Sequence, residues 1–447
     1  MEPAAPAPSS PSSPSQPSPP PANATAPAPD APPSRRAWTV VALLLAFMVV
    51  NFMDKTVLGL AGDHIREDLG LTDTQFGTVG SAFFLLFSVA GVAVGFLSDR
   101  IGAARLLTVL VAVWSASQLV VAVPAAGLAV LVATRITLGA AEGPAFAMAN
   151  HTAFSWFPDR ERALPGTLLT VGGAVGVAVG APVLAVTIGG LGWRAAFALT
   201  GVLGVLWLFA WRAWGGEGPY SARAETAEPE PGVPYRTLFT RGTVLSGLAC
   251  AFAAFWMLAV AVTWLPQFLQ RVHGIELEKA SMLAAGTQVV GIAFMLALGY
   301  ASTRMLRGGR SSRAARGVVG GAAVAVSGCG VLALTRVGGG APLVLVMMVA
   351  FTAGNAFFGL FQAALAELAP LRQRAALLGT VTAAASSAGA FGPLLTGALV
   401  DAAGTAAAGF QHAFDLAGGL MVAGGLLAAA FVRPARDRAS LQSSRIT

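Results

Sequence analysis

AWTVVALLLAFMVVNFMDKTVLGL, residues 37–60, is an apolar run interrupted by only two charges, Asp54 and Lys55. At about 1.5 Å per residue a helix of this length crosses a hydrocarbon core of roughly 30 Å. An ionised side chain at that depth costs at least roughly 2.5–3.5 kcal/mol, so charges kept there are functional candidates. The stretch reads as a membrane span, and its two charges ask for an explanation.

The rest of the chain agrees with that reading. Of 447 residues, 55% are hydrophobic and 11% charged, with a mean hydropathy of +0.70. A soluble domain carries roughly 25% charged residues. The 53 glycines also suit membrane helices. Cys250 and Cys329 both lie in apolar runs and read as packing residues, which leaves no disulfide framework and no metal site. The pI near 10.4 does not indicate nucleic acid, because the basic residues stand in short loops between apolar runs. Residues 1–34 are rich in Pro, Ala and Ser and lack the apolar core of a signal peptide; they read as a disordered cytoplasmic tail.

Twelve spans follow from length and hydropathy. The first six are 37–60, 76–98, 103–123, 127–155, 164–188 and 193–214, within an N-terminal half of 35–214. The last six are 241–268, 280–303, 315–335, 341–368, 376–400 and 411–433, within a C-terminal half of 241–433. A polar, Pro-bearing cytoplasmic linker, 215–240, joins the halves, and 434–447 form a cytoplasmic tail. With both termini inside, 21 of the 28 Lys and Arg residues face the cytoplasm, in keeping with the positive-inside bias.

The halves echo each other. GFLSDR (95–100) ends span 2 and GYASTR (299–304) ends span 8. WFPDRERALPG after span 4 matches LAPLRQRAALLG after span 10, pairing Pro158 with Pro370 and Arg162 with Arg374. Gly180–Pro182 in span 5 matches Gly392–Pro393 in span 11. Two parallel six-helix repeats predict an all-α membrane transporter with its substrate site at mid-membrane between them.

GFLSDRIGAAR (95–105) resembles the signature loop between helices 2 and 3 of the major facilitator superfamily, with Ala103 and Ala104 where the family usually has basic residues. RITLG (135–139) and GAP (180–182) resemble its helix 4 and helix 5 motifs. Within it, NFMDK (51–55), RITLGAAEGP (135–144) with WFP (156–158), and TWLPQFL (263–269) resemble the anion:cation symporters of sugar-acid, phthalate and sialin type. The resemblance implies a plasma-membrane symporter working by alternating access, monomeric, with both termini cytoplasmic. It also implies that Gly95, Asp99, Arg100, Gly102 and Arg105 form a gating motif, and that Asp54 and Glu142 take part in proton coupling. Lys55 stands where the family usually has an arginine that binds the substrate carboxylate.

From the residues themselves, Arg135 and Glu142 lie two turns apart on one helical face, roughly 10 Å along the axis, and each needs partners from other helices. Asp54 or Lys55 can supply them. Proton coupling by Asp54, Glu142 and Arg135 competes with a static ion network between spans 1 and 4. Lys55 and Arg135 are candidate carboxylate anchors; Lys55 is one of only two lysines. Phe87 and Gly91 occupy span 2 positions where relatives often carry polar groups, so the cavity wall is expected to be apolar. Trp264, Gln267, Gln288, Asn355 and Gln362 are the polar candidates from the second half, Asn355 corresponding to Glu142. No cofactor is expected beyond a proton, and the partners are a small carboxylate and the lipid bilayer. Efflux of a drug-like or lipid-like compound is the alternative, and a sensor or scaffold without transport is the third reading. An enzyme is excluded for want of a nucleotide loop, metal-ligand spacing or nucleophile with base.

Overall fold

The computed structural model describes residues 34–158, 161–220 and 233–443, which are helical with no strand among them. The N-terminal tail up to residue 33, linker residues 221–232 and the last residues, 444–447, lie outside the described part. Twelve crossings are present. The first half comprises α1 (Arg35–Leu60), α2 (Asp73–Ile101), α3 (Ala103–Val121), α4 (Leu128–Glu142 and Ala145–Phe154), α5 (Ala163–Leu191) and α6 (Trp193–Trp214). The second comprises α7 (Gly242–His273), α8 (Leu277–Arg307), α9 (Arg313–Leu334), α10 (Ala341–Thr352 and Ala356–Leu368), α11 (Leu371–Ser386 and Gly392–Ala402) and α12 (Ala406–Phe431).

Among the described residues, 11 of these are long and apolar enough to cross a membrane by length and composition. The exception is α4, which breaks where Gly143 and Pro144 follow Glu142; proline removes a backbone donor and ends the first piece. The matching helix α10 loosens at Ala353–Asn355, the place the repeat assigns to Glu142. Both halves are thus interrupted at the same step, and each interruption carries a polar residue.

Helix starts follow from local chemistry. Ser34 accepts from Ala37 N at 3.2 Å, and Thr72 with Gln75 forms a reciprocal capping box at the start of α2. Between α1 and α2 the chain forms a short helix, Gly62–Leu69, in which Ile65 is buried and Arg66 bonds both Asp63 and Asp73. Burial pulls the Arg66 guanidinium below its ordinary pKa, with Asp73 opposing. Residues 434–443 form a helix rather than a loose tail: Asp437 accepts from Thr243 N at 2.9 Å and caps α7. Cys250 is buried as expected, whereas Cys329 is exposed, so only the first is a packing residue.

Small residues let the helices approach. A side chain at Gly176 of α5 would meet Val49 O of α1 at 2.3 Å, and one at Gly139 of α4 would meet Phe83 O of α2 at 1.7 Å. The halves meet along α1 with α7, α2 with α11, and α5 with α8. The seam is tight at the end where α1 turns into α2. There Arg271 of α7 grips Asp73 of α2 with two bonds of 2.8 and 3.1 Å. Asp401 of α11 accepts from the backbone of Asp73 at 3.0 Å and of Thr74 at 2.7 Å, capping α2 from the other half. Deeper, Leu394 N donates to Ser81 Oγ at 3.0 Å, and Ser88 meets Ser386 at 2.5 Å. Beyond that pair, toward the end bearing both termini, no hydrogen bond joins the halves among the described residues.

Candidate functional site

The cost of membrane charge is met by clustering. Asp54 is 0% exposed, and Arg135 and Glu142 are each 2% exposed. Lys55 Nζ stands 2.7 Å from Glu142 Oε2 and bonds Asn51 Oδ1 at 2.5 Å, so spans 1 and 4 are joined by an ion pair. The Glu142 carboxyl also faces Asp54. One face of α1 supplies Asn51 and Lys55 because they lie one helical turn apart. Glu142 ends the first piece of α4, and Gly143 after it lies against Phe87 O of α2, where a Cβ would come within 2.0 Å. The glycines of RITLGAAEGP thereby bring the backbone of α4 close to α2.

Arg135 behaves differently from the expectation of a cross-helix ion pair. No carboxylate reaches ion-pair distance of it among the described residues. Its guanidinium lies 4.9 Å above the ring of Phe197 in α6, a cation–π contact, and it feels the charges of Asp54 and Glu142 from farther off. Lys55 Nζ similarly stands 4.8 Å from the ring of Phe52.

Three partners are absent from the sequence reading. Gln118 of α3, buried, donates its amide to Asp54 Oδ1. Asn51 sits inside the quoted NFMDK motif without an assigned role, and Phe197 lies in an apolar run. Gln118 is a lone amide in LLTVLVAVWSASQLVV, which is the trace it leaves in the sequence. Asn51 Nδ2, Asp54 Oδ2, Arg135 Nη2 and Glu142 Oε1 are buried with no hydrogen-bond partner. Buried polar atoms normally find partners, so these four are the unsatisfied polar groups of the cluster.

The second-half candidates separate. Trp264 and Gln267 are fully buried in the sealed seam: Trp264 Nε1 donates to Pro393 O at 3.0 Å, and Gln267 packs on Gly62. They are core residues here, in place of the expected cavity wall, because the seam closes over them. Gln288 is half-buried on α8, away from the ion cluster's contacts. Asn355 bonds back to Phe351 O at 3.2 Å at the break in α10, and Gln362 Nε2 reaches Thr382 Oγ1 of α11 at 2.7 Å. Phe87 joins Phe83 and Phe84 in an aromatic cluster with centroid distances of 5.4 and 6.0 Å.

The residues of the expected gating motif lie at the terminus-bearing end. Gly95 is in α2, and Gly102, at φ +87°, makes the turn into α3. Glu217, from the loop after α6, presses on Gly102 and accepts from Ala104 N at 3.3 Å, a cap the sequence reading omits. Arg100 and Arg105 are exposed and pair with no carboxylate among the described residues; the side chain of Asp99 lies outside them.

Comparison with known proteins accords with this architecture. The family model of the Major Facilitator Superfamily matches residues 43–357. The Bacillus subtilis (strain 168) hexuronate transporter is 30% identical over 413 residues, covering 88% of this chain and 94% of that protein. The D-galactonate transporter of Escherichia coli O6:H1 is 27% identical over 412 residues, covering 86% and 93%. Among solved structures, a bacterial homologue of the human lysosomal transporter Spinster, inward-facing and occupied, superposes with a TM-score of 0.71 at 19% identity, covering 89% of this chain and 96% of that one. A D-xylose–proton symporter also gives 0.71, at 15% identity, covering 89% and 98%. With two six-helix repeats, paired charges buried on spans 1 and 4, and these relatives, the chain belongs to the Major Facilitator Superfamily and is a multi-pass membrane transporter, not an enzyme.

Proposed function

We propose that this transporter is a proton-coupled symporter of a small sugar-acid type of organic anion, importing it by alternating access across the plasma membrane as a monomer. The observation that carries the reading is the Lys55–Glu142 pair, 2.7 Å apart and beside Asp54. Lys55 is the least enclosed of the four charges, its side chain 19% exposed. A substrate carboxylate and Glu142 compete for the same ammonium. Protonating Glu142 removes its claim on Lys55 and leaves the cation free for the anion; deprotonation restores the pair and expels the anion. Arg135 adds positive potential without being consumed by a salt bridge. The names of the relatives, transporters of hexuronate and D-galactonate, support the substrate class.

With both termini cytoplasmic, the sealed seam faces outward and the parted end faces the cytoplasm, an inward-open state. The proton is the only coupling ion the proposal needs, with no cofactor.

The test is uptake of radiolabelled D-glucuronate and D-galactonate into proteoliposomes with and without an inward proton gradient. Accumulation should require the gradient. Glu142→Gln should abolish gradient-driven accumulation yet permit exchange, and Lys55→Ala should raise KM by tenfold or more. Gradient-driven accumulation that survives Glu142→Gln would remove Glu142 from the mechanism. The apolar cluster of Phe83, Phe84 and Phe87 favours a second reading, proton-coupled efflux of an amphipathic compound; exchange of lipophilic cations for protons, with sugar acids excluded, would select it.

A further inference from the structure

Away from the ion cluster, α3 and α6 border an open cavity of about 350 Å³ at the terminus-bearing end. Its lining includes Ala104, Thr108, Val109 and Trp211, together with two basic residues, Arg105 and Arg212. Both arginines are exposed, and neither pairs with a carboxylate among the described residues. Val109 is also exposed, so the cavity opens on the outer surface of the helix bundle, where lipid stands. We propose that this cavity holds an acidic phospholipid, its headgroup phosphate between Arg105 and Arg212 and the upper part of its acyl chain along Val109 and Trp211.

The wall is preformed. Trp211 Nε1 donates to Ala104 O at 3.3 Å, and its ring stacks on Trp207 at 4.9 Å and 13°. The rim is kept low by the next two residues. A side chain at Gly215 would meet the Trp211 ring at 2.3 Å, and Gly216, at φ +146°, takes a backbone conformation that side chains disfavour. Two glycines after α6 therefore add no side chain at the rim, and Trp211, itself only 4% exposed, forms the closed aromatic floor. A guanidinium matches phosphate in two places, and basic cavities between helices on the cytoplasmic side bind acidic headgroups. Glu217, the nearest carboxylate on the rim loop, is occupied in capping α3 at Ala104 N. The lining therefore presents net positive charge above an apolar slot, a shape and polarity that fit one anionic headgroup with its chain. Occupancy would tie the start of α3, just after the gating loop, to the end of α6.

The proposal is independent of the substrate and of coupling. The full chain would be titrated in mild detergent with dioleoyl phosphatidylglycerol or dioleoyl phosphatidylcholine, and retained lipid counted by native mass spectrometry. The wild type should retain phosphatidylglycerol at least fivefold over phosphatidylcholine. The R105Q/R212Q pair should remove that preference, and R105K/R212K should restore part of it. A control pair, R304Q/R307Q, alters exposed arginines at the same end of α8 and should leave it intact. Equal retention of both lipids by the wild type would overturn the proposal. So would loss of the preference in the R304Q/R307Q control, since that marks a diffuse basic surface.

Discussion

At the end where α1 turns into α2 the halves touch backbone to backbone, whereas at the end that carries both termini no hydrogen bond joins them among the described residues. The first end is closed by two kinds of contact. Glycines bring main chains together: a Cβ on Gly59 would lie 2.1 Å from Val262 O, and one on Gly77 would lie 2.4 Å from Pro393 O. Polar groups then bridge the seam through Asp73, Arg271 and Asp401. The other end carries Arg100 and Arg105, both exposed and without a carboxylate partner among the described residues. The two ends differ by where charge finds a partner across the seam, and the proposed alternating access would exchange that arrangement. The ion cluster lies between them.

The largest effect is expected from wedging the sealed seam. Gly77→Leu sets a side chain into the space held by Pro393 O, and overpacking of this kind costs about 1–3 kcal/mol. Because the clash lies between halves, the variant should insert and fold, while the population with this end sealed falls by roughly 5–150-fold. Uptake should fall with it, and unaltered uptake would show that this end need not close so tightly.

Removing a clasp should do less. Asp401→Asn loses the charge on a group that caps α2 at Asp73 N and Thr74 N, and a hydrogen bond to a charged group contributes about 1.5–3 kcal/mol. The reporter is S81C, because Ser81 is buried in the seam and bonds Leu394 N. Alkylation of that thiol should speed up by about tenfold in D401N. An unchanged rate would assign closure to the glycines alone.

Between the ends, Gln118→Leu leaves Asp54 without its amide donor, and an unsatisfied buried group costs about 1–3 kcal/mol. A lowered thermal midpoint in detergent should report it; an unchanged midpoint would mean that Asp54 finds another donor.

The smallest effect concerns the outer rim of the first half. Arg194 and Trp193 donate to the Asp68 carboxyl and hold it below its ordinary pKa of 3.8. A lowered pKa in the fold means that the contact stabilises above the ordinary value and is lost as pH falls through the lowered one. The pair is exposed, so about 0.2–1 kcal/mol is at stake. Arg194→Gln should lower the thermal midpoint slightly at pH 7, and the difference from wild type should shrink as the pH falls below 3.8. A difference independent of pH would instead credit the bonds from Arg194 to Pro124 O and Ala126 O.

Much of the site was readable before any coordinates, for one reason. Asp54, Lys55, Arg135 and Glu142 are conspicuous because charge in a membrane span is costly, so their presence needs no structure to notice. Gln118 and Phe197 were passed over because one amide or ring in an apolar run costs little and has many ordinary explanations. The break in α4 is not legible from hydropathy, which runs through Gly143 and Pro144. Trp264 and Gln267 were assigned to a cavity from their position on α7, but whether that face is open depends on how the halves close.

What the sequence determined by itself was the membrane class, the twelve crossings, the twofold repeat and the identity of the buried charges. Each follows from properties counted along the chain: hydropathy over a span, residues per turn, and spacing between repeats. Tertiary structure decided that Lys55 meets Glu142, that Arg135 rests on Phe197, that Asp401 caps α2 and that the seam seals at one end. Those contacts join helices far apart in sequence, and their distances depend on how closely glycine-lined surfaces pack, which no local periodicity encodes.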